Sequence, residues 1–270
     1  MFDEIIACLD GSRLAEAILP LAQGLAATAS ARLTLIRVVV DDDEIIAEKQ
    51  YLLDTAIRHR AQWKFLVGAD PGEAIVAELE SSPEAIAAMT THGRGAWAEA
   101  LLGSVALNVI QKARRPVIIY RSQAIGQKAP DTIHTIAVAL DGGEFSERII
   151  PAAVELAKAT KAKLMLLQVL PAEFSKSNLP NAPAGDILES SYLHAKAMEI
   201  EGDYGVESNW DVLHGEPGDA ISAYVNGIPN TLLAMTSHAR SGLQRAILGS
   251  VAADCVRKSG VPMLIYWPHS

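Results

Sequence analysis

The sequence predicts two similar α/β domains in tandem, each built on a doubly wound parallel sheet. Three observations carry this. First, the chain repeats itself: Leu66–Tyr120 aligns with Val212–Tyr266 without a gap, and about twenty positions are identical. Among them are Pro71/Pro217, Gly72/Gly218, Met89/Met235, His92/His238 and Pro116/Pro262. Second, strand-like and helix-like segments alternate through each copy, the pattern of parallel strands with crossover helices. Third, each copy opens with a short apolar run ending in Asp-Gly, at Asp10-Gly11 and Asp141-Gly142, as a buried strand entering a turn would. A repeat this long is a whole domain and not a solenoid unit. Upstream of Leu66 the match continues at a different offset (Pro20/Pro151, Leu35/Leu166) because the second copy carries extra residues around Pro171–Asp186. The polar stretch Arg121–Asp131, with Gly126 and Pro130, reads as the linker, so the domains are taken as residues 1–126 and 127–270.

The elements follow in order. Glu4–Leu9 and Thr135–Leu140 are continuous apolar runs and so buried first strands. Helical periodicity follows at Ser12–Thr28 and Glu144–Thr160. Arg32–Val39 and Lys163–Leu170, rich in β-branched residues and Leu, read as second strands. Helices are expected at Glu44–Arg60 and Asp186–Glu201, and third strands at Trp63–Val67 and Asn209–Leu213. Pro71 and Pro217 suit the first turn of a helix, with Asp70 and Glu216 before them in the cap position. Glu84–Thr90 and Thr231–Thr236 are the fourth strands. Helices Ser104–Ala113 and Ser250–Lys258 then lead to the final strands Val117–Tyr120 and Met263–Tyr266. In sheets of this kind ligands bind beyond the carboxyl ends of the strands, at the switch point.

Composition narrows the function. With 50% hydrophobic residues the chain can build globular cores and is not disordered. A formal net charge of −9 argues against sequence-independent binding to nucleic acid or anionic lipid. Apolar runs are strand-sized, too short for a membrane span. The start, Met1-Phe2-Asp3-Glu4, lacks the basic region of a secretory signal. Two cysteines, Cys8 and Cys255, lie in apolar stretches and make no disulfide framework, so a reducing cytoplasm is expected. No Gly-x-Gly-x-x-Gly follows the first strands, and no phosphate loop of the Gly-x₄-Gly-Lys-Ser/Thr type is present. Zinc-ligand spacing and catalytic Ser/His/Asp or Cys/His sets are absent as well, so neither catalytic residues nor a metal site are expected.

The most specific segment runs from Met89 through Thr90, Thr91, His92, Gly93 and Arg94 to Gly103, Ser104 and Val105. A strand ends, a glycine-bearing loop follows, and Gly103-Ser104 opens a helix. Helix-start N–H groups lack intrahelical partners and attract anions, glycine permits close approach, and a serine hydroxyl adds a donor. The same residues also fit a plain helix cap, and Asp10 and Asp141 fit plain turn chemistry. The acidic run Asp41-Asp42-Asp43-Glu44 fits a helix N-terminus.

On these residues the chain resembles the universal stress protein family in its tandem two-domain form, over nearly its whole length. The resemblance implies the adenine nucleotide α-hydrolase-like fold and a stress-response role with ATP binding. The family pattern is Gly-x₂-Gly-x₉-Gly-Ser/Thr. Gly93 and Gly103-Ser104 keep its longer spacing, while Thr90 stands at the first glycine. In the second half Thr236 and Ala239 replace both early glycines and Gly249-Ser250 remain. The resemblance further implies that Asp10 and Asp141 hold adenosine, that the main chain at Val38 and Val169 meets adenine, and that Val105 and Val251 complete the phosphate segment. It implies ATP as ligand and no dedicated enzymatic activity, a weak ATPase being left open; the acidic run, if it faces the pocket, disfavours a bare triphosphate and makes Mg²⁺ helpful. The first half is expected to bind more tightly, because Ala239 replaces the glycine that Gly93 retains. The competing reading is an interaction module with degenerate pockets, favoured by Thr90, Thr236 and Ala239. The final strands, as apolar edges, are expected to pair between the halves, with a homodimer as a further assembly.

Overall fold

The computed structural model describes residues 2–91, 102–122, 126–170, 185–237 and 248–268, without the side chains of 185–189. The chain divides into two compact units, Met1–Thr132 with Ile265–Ser270, and Ile133–Leu264. The fold is the expected parallel α/β architecture, twice.

The first half runs β1 (Glu4–Leu9), a 3₁₀ turn (Ala15–Ile18), α1 (Leu19–Ala29), β2 (Arg32–Val39), α2 (Asp42–His59), β3 (Gln62–Val67), α3 (Pro71–Ser81), β4 (Ala85–Thr90), α4 (Ser104–Lys112) and β5 (Val117–Tyr120). Its strand order is β3-β2-β1-β4-β5. Every neighbouring pair is parallel. The chain leaves β1 for β2 on one side and returns to β4 on the other, so the crevice beyond β1 and β4 is the switch point. β1, β2, β4 and β5 are almost wholly buried, which is why they read as largely apolar runs, interrupted in β2 by Thr34 and Arg37. Residues of the expected linker pack on this half: the Ala129 N–H donates to the Ala17 carbonyl, and the Asp131 carbonyl lies against Gly24 of α1.

The second half runs β6 (Thr135–Leu140), α5 (Glu144–Glu147), α6 (Ile150–Thr160), β7 (Lys163–Leu170), α7 (Gly185–Tyr204), β8 (Ser208–His214), α8 (Pro217–Asn226), β9 (Thr231–Thr236), α9 (Ser250–Lys258) and β10 (Met263–Tyr266). β6 lies between β7 and β9, and β8 lies beyond β7, again all parallel.

The first helix of each half departs from expectation. The single helices expected over Ser12–Thr28 and Glu144–Thr160 are each broken, into the 3₁₀ turn plus α1 and into α5 plus α6. Pro20 and Pro151 explain both breaks. Each lacks the N–H for an i→i−4 bond and sits instead in the first turn of a fresh helix. Most other boundaries agree within one or two residues; α2 begins two residues early because Asp41 caps it, and α7 runs three residues longer, to Tyr204.

Candidate functional site

A cavity of about 560 Å³ opens at the switch point of the first half. Six of the seven residues anticipated there line it: Asp10 after β1, Val38 in β2, Thr90 at the end of β4, and Gly103, Ser104 and Val105 at the start of α4. The seventh, Gly93, lies outside the described residues, as do His92, Arg94, His238, Ala239 and Arg240. The rest of the wall is largely apolar, from Leu9, Val39, Ile75 and Met89 among others.

Local sequence sets each polar wall. The Asp10 carboxylate accepts the Ser12 N–H at 2.9 Å, and the Ser12 hydroxyl accepts the Ala15 N–H at 3.1 Å. Gly11 has φ +80, which glycine adopts without strain. Asp10 is therefore a turn residue and a cavity residue at once, and the turn is what fixes its carboxylate at the strand end. Gly103 is the N-cap of α4, and Ser104 is its first helical residue. The Gly103 N–H donates to the Thr91 carbonyl at 2.6 Å. The donors that remain at the helix start are the N–H groups of Ser104, Val105 and Ala106 and the exposed Ser104 hydroxyl, none with a partner among the described residues. That arrangement suits an anion.

Glycine at 103 also has a close neighbour that the sequence did not reveal. Its φ of −64 suits any residue, but a Cβ there would lie 3.1 Å from the Thr91 carbonyl oxygen. The close neighbour is the protein's own backbone.

Two wall residues, Arg37 and Cys8, escaped the sequence reading, and a third, Glu44, was read there only as part of an acidic run at a helix start. Arg37 is 3% exposed near the end of β2, and it pairs with Glu48 of α2 at 2.8 Å. A lone charge among Leu35, Ile36 and Val38 was the available signal. Glu44 lines the cavity while its side chain accepts the Val40 N–H at 2.8 Å; Asp41 in turn accepts the Glu44 N–H at 3.0 Å. The acidic run is thus a capped helix start that brings one carboxylate to the cavity wall. Cys8 also lines it, and burial pushes its thiol up to about 12, so it contributes packing and no nucleophile. Tyr51 of α2 stands in the same electrostatic neighbourhood. Burial and then the Glu16 carboxylate raise its hydroxyl pKa, Asp10 adds a smaller push, and Arg37 opposes them.

In the second half Asp141 follows β6, Val169 lies in β7, Thr236 ends β9, and Gly249, Ser250 and Val251 stand at the start of α9. Each therefore occupies the place of its counterpart. Asp141 accepts the Gly143 N–H at 2.9 Å, repeating the Asp10 turn, with Gly142 at φ +82. Here Ser237 replaces the Thr91 carbonyl as tether, its hydroxyl accepting the Gly249 N–H at 3.1 Å.

The universal stress protein family model matches residues 1–121 and again 132–266. The universal stress protein YxiE of Bacillus subtilis is 29% identical over 140 residues, covering 47% of this chain and 95% of the relative. A universal stress protein of Mycobacterium tuberculosis is 26% identical over 229 residues, 75% of this chain and 72% of its own. A crystal structure of a universal stress protein from Archaeoglobus fulgidus shares the fold over 99% of both chains, with a TM-score of 0.73 at 21% identity. Among the described residues no helix is long and apolar enough to cross a membrane, and no group of His, Cys, Asp or Glu is placed to hold a metal ion.

Proposed function

The chain belongs to the universal stress protein family, and from that premise we propose that it is a stress-response regulatory protein that binds ATP in the cavity of its first half. The observation that carries the proposal is the meeting of Asp10, Val38, Thr90 and Gly103–Val105 around one cavity of about 560 Å³. That volume is within the range of small-molecule and cofactor sites. The residues present fit a nucleotide: an apolar wall for the base, the Asp10 carboxylate for ribose or base donors, and the uncapped start of α4 for phosphate. Glu44 on the wall repels a bare triphosphate, so the nucleotide enters with Mg²⁺ held by its own phosphates. The site works by binding, and function follows from a nucleotide-dependent change of conformation or partner. Pairing of the two halves through their final strands, and a homodimer beyond it, belong to the same proposal. A cytoplasmic location completes it, as two unbridged, buried cysteines require no oxidising compartment.

The test is mass spectrometry of ligand carried through native purification, followed by ATP titration calorimetry on the stripped protein. Co-purified adenine nucleotide and saturable ATP binding are expected. If neither is seen, the cavity is only a helix start beside a turn, and the chain is an interaction module.

A further inference from the structure

β3 is the outermost strand of the first half. The Gly68 N–H donates to the Val39 carbonyl, and the β2–β3 register is unbroken. Amide groups alternate sides along a strand, so the N–H and C=O groups of Trp63, Phe65 and Val67 point away from β2. They face no further strand among the described residues. The outer strand of the second half is guarded at its start. There the Gly215 N–H donates to the Leu170 carbonyl, so the Ser208 N–H points outward, and the Glu201 carboxylate accepts it at 2.9 Å. Sheets blunt their edges by such devices, and among the described residues none caps Trp63, Phe65 or Val67 in that way.

The open edge is also apolar. Lys64 pairs with Glu78 of α3, while Arg37, opposite Phe65 in the ladder, pairs with Glu48 of α2. Trp63, Phe65 and Val67 therefore share the α2 face of the sheet. α2 packs on β2 and β3, and its opposite flank is marked by Arg58 and His59, which reach Glu16 and Gln23. At about 100° per residue, Ile46, Leu53 and Ile57 lie within about 40° of one another on the flank away from those two, above the open edge. Ile46, Ile57 and Val67 are 76%, 67% and 59% exposed, and Trp63 is 37% exposed. These four expose roughly 500 Å² in one place, a patch of the size that marks interaction sites on soluble proteins.

We propose that this edge joins two copies of the chain, β3 pairing antiparallel with β3 of the second copy about a two-fold axis at Phe65. That register sets Phe65 opposite itself and Trp63 opposite Val67, so every outward N–H and C=O of the three residues gains a partner. Aromatic meets aromatic, and aromatic meets β-branched, which are favourable cross-strand pairs. Centring the axis on Lys64 instead would set like charges opposite each other and run Val67 past the start of the other strand. With α2 above the β2–β3 step, two strand spacings separate the α2 helices by about 10 Å, a packing distance for helices. They run antiparallel, so the acidic first turn of each, with Asp42 and Asp43, lies beside Arg60 at the end of the other. The β3 backbone and these charged ends extend the apolar patch toward the about 800 Å² per partner of a stable dimer. The inference gives a face to the homodimer of the proposed function and takes nothing from the nucleotide reading.

Sedimentation equilibrium of the full chain tests it, on wild type, Ile57→Glu, Val67→Lys and Met198→Glu, with circular dichroism to check each fold. Wild type is expected to be a dimer at about 100 µM, and Ile57→Glu and Val67→Lys should each weaken it at least about tenfold. Met198, 57% exposed on α7 of the other half, is the control, and its variant should stay as dimeric as wild type. Hydrogen exchange of wild type reads the edge itself. Dilution that dissociates the dimer should speed exchange at Trp63, Phe65 and Val67 and leave β8 unchanged. This measurement decides alone if both variants fail to fold. A monomeric wild type at about 100 µM overturns the inference and leaves the edge to a strand of another protein. Protection that survives dissociation assigns the edge to another segment of this chain and overturns it too. A dimer that both variants keep, or that Met198→Glu alone loses, places the interface elsewhere, so this face fails while the homodimer stands. None of these outcomes bears on ATP binding, so the two readings fail separately.

Discussion

Replacing Ser104 by proline separates binding from folding at the start of α4. Ser104 is the first helical residue, and its N–H is not needed by the helix, whose first bond here runs from the Leu107 N–H to the Gly103 carbonyl. Proline is favoured at such a position, and Pro71 and Pro217 already occupy it in α3 and α8. The residue before a proline must be extended, and Gly103 already has φ −64 and ψ 153. The apo protein should thus unfold at an unchanged or slightly higher temperature. For ATP the change removes two donors, the backbone N–H and the hydroxyl. Hydrogen bonds to charged acceptors contribute about 1.5–3 kcal/mol each, so a loss of about 2–4 kcal/mol is expected after partial compensation. That is about 30- to 1,000-fold in Kd. Ser104→Ala removes the hydroxyl alone and should fall between wild type and Ser104→Pro. Calorimetry of the three proteins with ATP, at matched apo stability, is the assay. Equal affinity in all three would refute the helix start as the anion site, whatever else occupies the cavity.

Three further outcomes follow from the same structure. Ser250→Pro makes the equivalent change at α9, and in the full chain it should alter total ATP binding less than Ser104→Pro; a larger effect would reverse the ranking of the halves. Gly24→Ala should destabilise by about 1–3 kcal/mol although alanine is the better helix former by about 1 kcal/mol. Its Cβ would come 1.6 Å from the Asp131 carbonyl oxygen, and chemical denaturation checks the sign. Burial holds the Cys8 and Cys255 thiols at about 12 and about 11, so at pH 8 a thiol reagent should label the native protein at least about a hundredfold more slowly than a free thiol. Rapid labelling of either cysteine without denaturant would contradict the burial of both.

The strands were legible because they are buried on both faces. A run such as Ile5–Leu9 has no surface side to encode, so its apolar character is continuous and its end at Asp10 abrupt. The Asp-Gly steps were legible because the turn needs a left-handed residue, supplied by Gly11 and Gly142. Helix breaks at Pro20 and Pro151 were written in the sequence but overridden by the apolar periodicity running through them. Arg37 was illegible as a site residue because nothing local says whether a buried charge is met by a helix, as by Glu48, or by a bound molecule. Gly103 was legible as a helix start, but its tightest neighbour was not. A Cβ there would lie 3.1 Å from the Thr91 carbonyl oxygen, a tertiary contact that no spacing rule specifies.

Capping and binding compete for the same groups, and the first half resolves that competition differently from one helix to the next. α2 and α3 begin with Asp41 and Asp70, whose carboxylates accept the N–H groups of Glu44 and Glu73 at 3.0 and 3.1 Å. Such caps contribute about 1 kcal/mol each. α4 begins with Gly103, which has no side chain to offer, although an Asp there would cap the helix in the same way. An Asp would also add a Cβ against the Thr91 carbonyl and a negative charge at the mouth of the cavity. The stability forgone at α4 is recoverable only from an acceptor that arrives from outside, and a bound phosphate restores it by mass action. α1 also lacks a side-chain cap but continues directly from the 3₁₀ turn. Of α2, α3 and α4, the helix without a carboxylate cap is the one at the switch point, so the local rule is broken where a fold of this kind places its ligand. ATP should therefore raise the unfolding temperature of wild type and leave Ser104→Pro nearly unmoved at the same concentration. Equal shifts in the two proteins would show that the stabilisation does not pass through α4.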